Sequence, residues 1–350
     1  MPIIQSRRQF LAGMSAAGAA GLIDARGSVA REGPPEVTTI RIRFEDAPPI
    51  VVNGVAENAL CTAPLYITED LLHAEGFTDV RYVSVKSGSW LSEAFDRGEI
   101  DFSTMFAPAT VRRLDAGVPI TAVAGVHPGC MELFARDPIR TVTALKGKQV
   151  GINDVSGGTD HLFVSIMAAH VGLDPEKDIN WVFAEDGVAN PKELFVQGKI
   201  DAYLSFIAES WELRDRKIGR MIVSMAMDKP WSQYFCCMLS GNREFVRQYP
   251  VATKRAVRAI LKATDMCATE PERAARRLVE DGFAQRYDYA LESLTELPYN
   301  VWRELDAEDS LRFYAIWLHE FGELKATPNT IIANGTDWRF LNELKRELKA

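Results

Sequence analysis

Hydrophobic positions along this chain recur with two periods, and the periods alternate. Residues 38–44 place apolar side chains at every second position, the pattern of a strand with one buried face. Over 63–72 the spacing becomes helical (Leu65, Ile67, Leu71, Leu72), and Gly76 supplies the stop. The pattern then predicts a strand at 80–85, a helix at 90–95 ended by Gly98, and a strand at 100–105. A helix from Pro108 to Gly117 and a strand at 120–125 follow. Further strands are predicted at 131–135, 149–152, 181–184, 202–206 and 221–225, with helices at 159–171, 192–196 and 208–217. Strands alternating with helices predict open α/β sheets.

Two passages echo each other. Phe95-Asp96-Arg97-Gly98-Glu99-Ile100-Asp101-Phe102 returns one hundred residues later as Phe195-Val196-Gln197-Gly198-Lys199-Ile200-Asp201-Ala202. In both, a helix ends at glycine and a strand begins with Ile-Asp, so the chain is read as two similar α/β lobes. From Arg243 onward only helical periodicity remains, with Val257, Ile260, Leu261 and Thr264 on one face and Leu311, Tyr314, Ala315, Leu318 and Phe321 on another. Such a helical tail must cover something, most simply the first lobe.

Composition narrows the class. The 350 residues exceed the ~250–300 at which single cores stop growing, so two domains are expected. With 47% hydrophobic and 25% charged residues, wholesale disorder, collagen and coiled coil are excluded. A net charge of −8 without a basic stretch argues against nucleic acid. Five scattered cysteines are too few for a disulfide scaffold. At the N-terminus, Ser6-Arg7-Arg8-Gln9-Phe10-Leu11 precedes a short Gly/Ala-rich apolar run and Ser28-Val29-Ala30. That order is the mark of a twin-arginine export signal over residues 1–30.

The element order, the spaced helix-Gly-strand repeat, Leu145-Lys146-Gly147-Lys148-Gln149-Val150-Gly151-Ile152 and Phe245-Val246-Arg247-Gln248-Tyr249-Pro250 together resemble type II periplasmic solute-binding proteins. Within them the resemblance is to the NMT1/THI5-like branch of nitrate, sulfonate and hydroxymethylpyrimidine binders. It implies a two-lobed α/β fold, each lobe a doubly wound sheet, with a helical C-terminal extension. The expected division is 37–127 (first lobe), 128–235 (second lobe) and 236–350 (return to the first lobe and tail helices). Crossovers are expected near 125–131 and 233–239. The resemblance further implies a periplasmic location, a small solute held in the cleft, hinge closure, and an ABC-type permease as partner.

In open α/β sheets, ligands sit beyond the carboxyl ends of strands, where helix N-termini point N–H groups into the crevice. Asn153-Asp154-Val155-Ser156-Gly157-Gly158-Thr159 has that position. There Gly157 and Gly158 allow close approach, and Ser156 and Thr159 either cap the helix or touch the ligand. By the same reasoning Asp46, Thr62, Trp90, Met105 and Phe106 are candidates in the first lobe, and Phe206 and Glu209 in the second. Trp90, Phe106 and Phe206 serve either as stacking platforms or as core. Asp46, Asp160 and Glu209 in the cleft would favour a neutral or cationic solute over a sulfonate, since no compensating cation is evident among these loops. The expected solute is a pyrimidine or other heteroaromatic, a sulfonate, or a related small organic molecule.

An enzyme reading competes. In the hydroxymethylpyrimidine phosphate synthases of this superfamily, a cysteine cluster associated with iron lies on the strand corresponding to Tyr234-Phe235-Cys236-Cys237-Met238. Those enzymes also use a pyridoxal-binding lysine and a substrate histidine. The resemblance places these at Met105 and Ala109, which can do neither. Cys236-Cys237, without nearby Cys or His at ligand spacing, reads as two small hydrophobes in a crossover strand. The alternative keeps an exported enzyme or metal-dependent sensor using Cys236, Cys237 and Cys130. His73, His127, His161, His170 and His319 are scattered, and neither Gly-x-Ser-x-Gly nor Gly-Lys-Ser/Thr occurs. The sequence therefore predicts a receptor with no reaction centre, no cofactor and no metal.

Overall fold

The structure is a computed structural model that describes residues 32–46, 50–52, 55–57, 60–86, 89–184 and 190–348. Contacts divide the chain into a unit spanning 1–34 and a unit spanning 35–350. The export signal read in residues 1–30 lies outside the described residues.

Among the described residues of the larger unit, two five-stranded sheets carry the fold. The first contains β1 (Thr39–Asp46), β4 (Asp79–Lys86), β5 (Phe102–Phe106), β6 (Ile120–Pro128) and β12 (Phe235–Asn242), in the order β4-β1-β5-β12-β6. The second contains β7 (Met131–Ala135), β8 (Lys148–Ile152), β9 (Ile179–Phe183), β10 (Ala202–Phe206) and β11 (Arg220–Ser224), in the order β11-β7-β10-β8-β9. The two follow one plan. Each has three parallel strands (β4-β1-β5, and β9-β8-β10) and one inserted strand antiparallel to both neighbours. The inserted strand always arrives from the other lobe: β7 follows β6 out of the first sheet, and β12 returns from the second.

The echoed sequence has one structural cause. Gly98 and Gly198 both take positive φ, 63° and 75°, which ends a helix sharply. The aspartate three residues on then completes a ladder. The Asp101 carboxylate accepts the Arg41 amide at 2.7 Å while the Asp101 amide donates to the Arg41 carbonyl at 2.8 Å. Asp201 does the same with Gln149, at 2.9 and 3.0 Å. Gly129, in the turn between β6 and β7, has φ 63°, and a Cβ there would lie 2.4 Å from the Ala226 backbone in the returning crossover. Two crossover segments can touch here only because this residue has no side chain.

One local expectation fails for a physical reason, and one short element carries no periodic signal. The helix expected at 63–72 breaks into Ala63–Tyr66 and Glu69–Ala74, because β-branched Ile67 and Thr68 interrupt it. A short hairpin, β2 (Ile50–Val52) with β3 (Val55–Glu57), pairs Val52 with Val55. Its signal is the Asn53-Gly54 dipeptide, which favours a two-residue turn and carries no strand periodicity. The tail helices Pro250–Thr269 and Ala307–Glu320 pack on β6 and β12 of the first sheet. Tyr287–Glu296 also reaches the second lobe, where Arg214 binds both Glu132 of β7 (2.7 Å) and Glu296.

Candidate functional site

The carboxyl ends of β1, β5 and β8 meet across a cleft of about 660 Å³. One wall belongs to the first lobe: Arg43 and Glu45 from β1, Thr62, Met105 and Phe106, and Arg112 and Arg113 from the helix Ala107–Asp115. The facing wall is the loop Asp154–Asp160, and Cys61 and Cys237 also line the cleft. Aromatic contact joins the lobes beside it: the Phe106 ring stacks on Phe206 at 6.4 Å and meets Phe163 edge-on at 5.7 Å.

Three arginines converge here, and they correct the expectation that the cleft lacks a compensating cation. Arg43 is 5% exposed, donating to the Val85 carbonyl at 3.3 Å and to Glu45 at 3.1 Å. Arg113 is pushed down to about 10 by burial and by the like charges of Arg43 and Arg112, with Glu45 opposing. It remains protonated at neutral pH, inside a field that an incoming anion would relieve. Arg112 ties three segments together: it donates to the Gly157 carbonyl of the opposite lobe and pairs with Glu323 behind the tail helix at 2.7 Å. Strand alternation conceals Arg43, because a charged residue on a half-buried strand reads as solvent-facing. The helix is more legible, since Ala109, Arg112, Arg113 and Ala116 follow the i, i+3, i+4 spacing of one face and all four line the cleft.

Asp160 lines the same cleft from the second lobe. It is 7% exposed, in the first turn of the helix Thr159–His170. Burial, with Asp154 and Glu209 as like charges nearby, pushes its carboxyl up to about 8. It is therefore held protonated at neutral pH, as a buried donor facing the cavity. No side chain caps this helix; Gly158 is its N-cap. Of the two roles open for Thr159, capping is thus absent, and Thr159 lines the cleft. A Cβ on Gly158 would come within 2.1 Å of the Asp154 carboxylate, which would have to move aside. His161 turns away from the cleft: its Nδ1 accepts the Gly157 amide at 3.0 Å, and its ring lies edge-on to Trp181 at 4.4 Å.

The remaining candidates separate. Thr62, Met105, Phe106, Gly158 and Thr159 line the cleft, whereas Ser156 lines a different groove with His161 and Trp181. Gly157, with φ 74°, presents its carbonyl to Arg112. Phe206 contributes its ring to the interlobe stack and to a small cavity beside Cys61 and Cys130. Trp90 stands 56% exposed and is not among the cleft-lining residues. Glu209 is interior to the second lobe, 4% exposed, accepting from Tyr203 Oη at 2.8 Å with Lys192 Nζ at 3.8 Å. It acts on the cleft only by raising the Asp160 carboxyl. The backbone of Asp46 ends β1, and its side chain lies outside the described residues.

The cysteine pair is not isolated, which corrects the sequence reading. Cys61 and Cys130, distant in sequence, come up against β12, and the sulfurs of Cys61, Cys130 and Cys237 lie within 4.8 Å of one another. Cys236 Sγ is 3.1 Å from Cys130 Sγ. Hydrogen bonds from the Cys130, Cys236 and Cys61 thiols hold Cys237 well below the usual thiol range despite burial. His127 is the cross-strand neighbour of Cys237. Its Nε2 faces the Cys61 carbonyl at 2.9 Å and its Nδ1 the Gly129 carbonyl at 2.9 Å.

A family model described as NMT1/THI5 like matches residues 73–274. Among curated proteins, the chain is 24% identical over 267 residues to the Saccharomyces cerevisiae 4-amino-5-hydroxymethyl-2-methylpyrimidine phosphate synthase THI12, covering 69% of this chain and 76% of that protein. The THI13 synthase of the same yeast is 24% identical over 236 residues, covering 62% and 67%. Among solved structures, a putative periplasmic sulfonate-binding protein SsuA from Methylobacillus flagellatus superposes with a TM-score of 0.68 at 18% identity, over 89% of this chain and 95% of that one. The periplasmic nitrate-binding protein NrtA from Synechocystis superposes with a TM-score of 0.68 at 16% identity, over 90% of each chain. The fold is that of the periplasmic binding proteins, two lobes of mixed sheet with helices.

Proposed function

The chain belongs to the NMT1/THI5-like family, and from that premise we propose that it is an exported receptor that captures a small organic solute between its lobes. The observation that carries this reading is the interlobe cleft itself, with arginines on one wall and a buried carboxyl on the other. Such a pair of walls suits a heteroaromatic or sulfonate-class solute with an acidic group for Arg43 and Arg113 and a nitrogen for Asp160. The earlier preference for a neutral or cationic solute gives way to this two-ended one. Delivery to an ABC-type permease, a periplasmic location and export through the twin-arginine signal at residues 1–30 complete the proposal.

The second reading, an exported enzyme, is favoured by the thiol cluster and by the synthase relatives. The resemblance implies pyridoxal phosphate, and its lysine and histidine positions do fall in the cleft. Met105 and Ala109 occupy them. Neither side chain offers an amine or an imidazole, so these positions do not fit that cofactor.

A thermal-shift screen of acidic heteroaromatics and sulfonates, followed by calorimetry and product analysis, tests the proposal. Binding of one solute per chain without turnover is expected; conversion of the solute would overturn it. With that solute, Thr159→Ala is expected to weaken binding about 5-fold, the loss of one hydrogen bond near 1 kcal/mol. Trp90→Ala, outside the cleft, should leave affinity within about 2-fold, and a larger loss would show that the indole reaches the solute.

A further inference from the structure

We propose that Cys61, Cys130 and Cys237 form a three-sulfur site for a monovalent thiophilic cation of the copper(I) class. The three sulfurs lie within 4.8 Å of one another, close enough for a single ion to touch all three. They come from three separate places: the turn Leu60–Thr62, the crossover between β6 and β7, and β12. All three residues are buried, at 8%, 2% and 2% exposure, so water is a poor competitor for the ion. Cys61 and Cys237 also line the cleft, which gives an ion a route in.

The iron that the family resemblance implies does not fit this donor set. Where sulfur alone holds iron it takes four thiolates, and this group brings three sulfurs together; both nitrogens of neighbouring His127 are turned to carbonyl oxygens. Zinc fits poorly for a different reason, since it takes four ligands in closed sites. The fourth thiol, Cys236, reaches Cys130 at 3.1 Å but is outside the mutually close trio. Three soft sulfurs without a fourth donor select copper(I). Each thiol that becomes a ligand gives up its proton, so loading releases protons to solvent with no change of oxidation state. The site does not depend on the solute-capture reading.

The test titrates fully reduced protein anaerobically with copper(I) against a colorimetric chelator, with zinc(II) and iron(II) in parallel. One copper(I) per chain is expected, retained against the chelator, with neither other ion held. Cys61→Ala, Cys130→Ala and Cys237→Ala should each weaken retention on the order of 100-fold. Cys236→Ala and the remote Cys267→Ala should keep it. Copper X-ray absorption on the wild-type protein gives a readout independent of variant folding, and three sulfur neighbours are expected. No retained copper, a first shell containing nitrogen or oxygen, or equal loss on Cys236→Ala would overturn the site.

Discussion

Arg113→Met is expected to cost the protein on the order of 30- to 100-fold in affinity for its acidic solute. Arg113 sits beside Arg43 and Arg112, and burial plus their like charges already push it down to about 10. The solute's anion loses a charge-assisted hydrogen bond of roughly 2–3 kcal/mol, which gives the fold-change. Met keeps the apolar stem that packs along the helix. Calorimetry on both proteins decides it. An unchanged affinity would remove the anion from this wall of the cleft.

Asp160→Asn is expected to flatten the stability of the empty protein between pH 4 and pH 8. The sign follows from proton binding. Unfolded, this carboxyl ionises near 4; in the fold it is raised to about 8, so between those values the folded state holds a proton that the unfolded state has released. Wild-type stability therefore falls as pH rises through that window and levels off above it. The loss is on the order of 5 kcal/mol. Buried Glu132 and Glu209 are raised as well and contribute to the wild-type slope, so the difference between wild type and variant isolates Asp160. Melts at intervals from pH 4.5 to pH 9 provide the measurement. Parallel curves would show that water reaches Asp160 and that its proton plays no part. In the wild type, a solute with a basic nitrogen should also expel this proton, making affinity rise with pH between about 6 and 8.

Much of the architecture was legible before any coordinate. Alternating periods marked all ten strands of the two sheets except the full extent of β12, whose eight residues read only as a crossover. The glycine-aspartate echo at 98–101 and 198–201 marked the repeated lobe, because a positive-φ turn and a carboxylate completing a strand ladder both act within a few residues. The loop 153–159 was legible for the same reason, as a glycine-bearing connection from strand to helix.

The chemistry of the cleft was decided elsewhere. Arg43 and Arg113 are 70 residues apart, and Cys61 and Cys237 are 176 apart. They meet only because β12 inserts antiparallel between β5 and β6 and because β1 lies beside β5. Glu209 and Asp160, both acidic and both near strand ends, part ways through helix rotation: one turns inward to Tyr203 and the other into the cavity. By itself the sequence determined the lobes, their repeat and the position of the cleft, since backbone hydrogen bonding and hydrophobic period are local. Which charges face the solute, and which thiols share a site, followed from sheet order and helix rotation, and those exist only once the whole chain has packed.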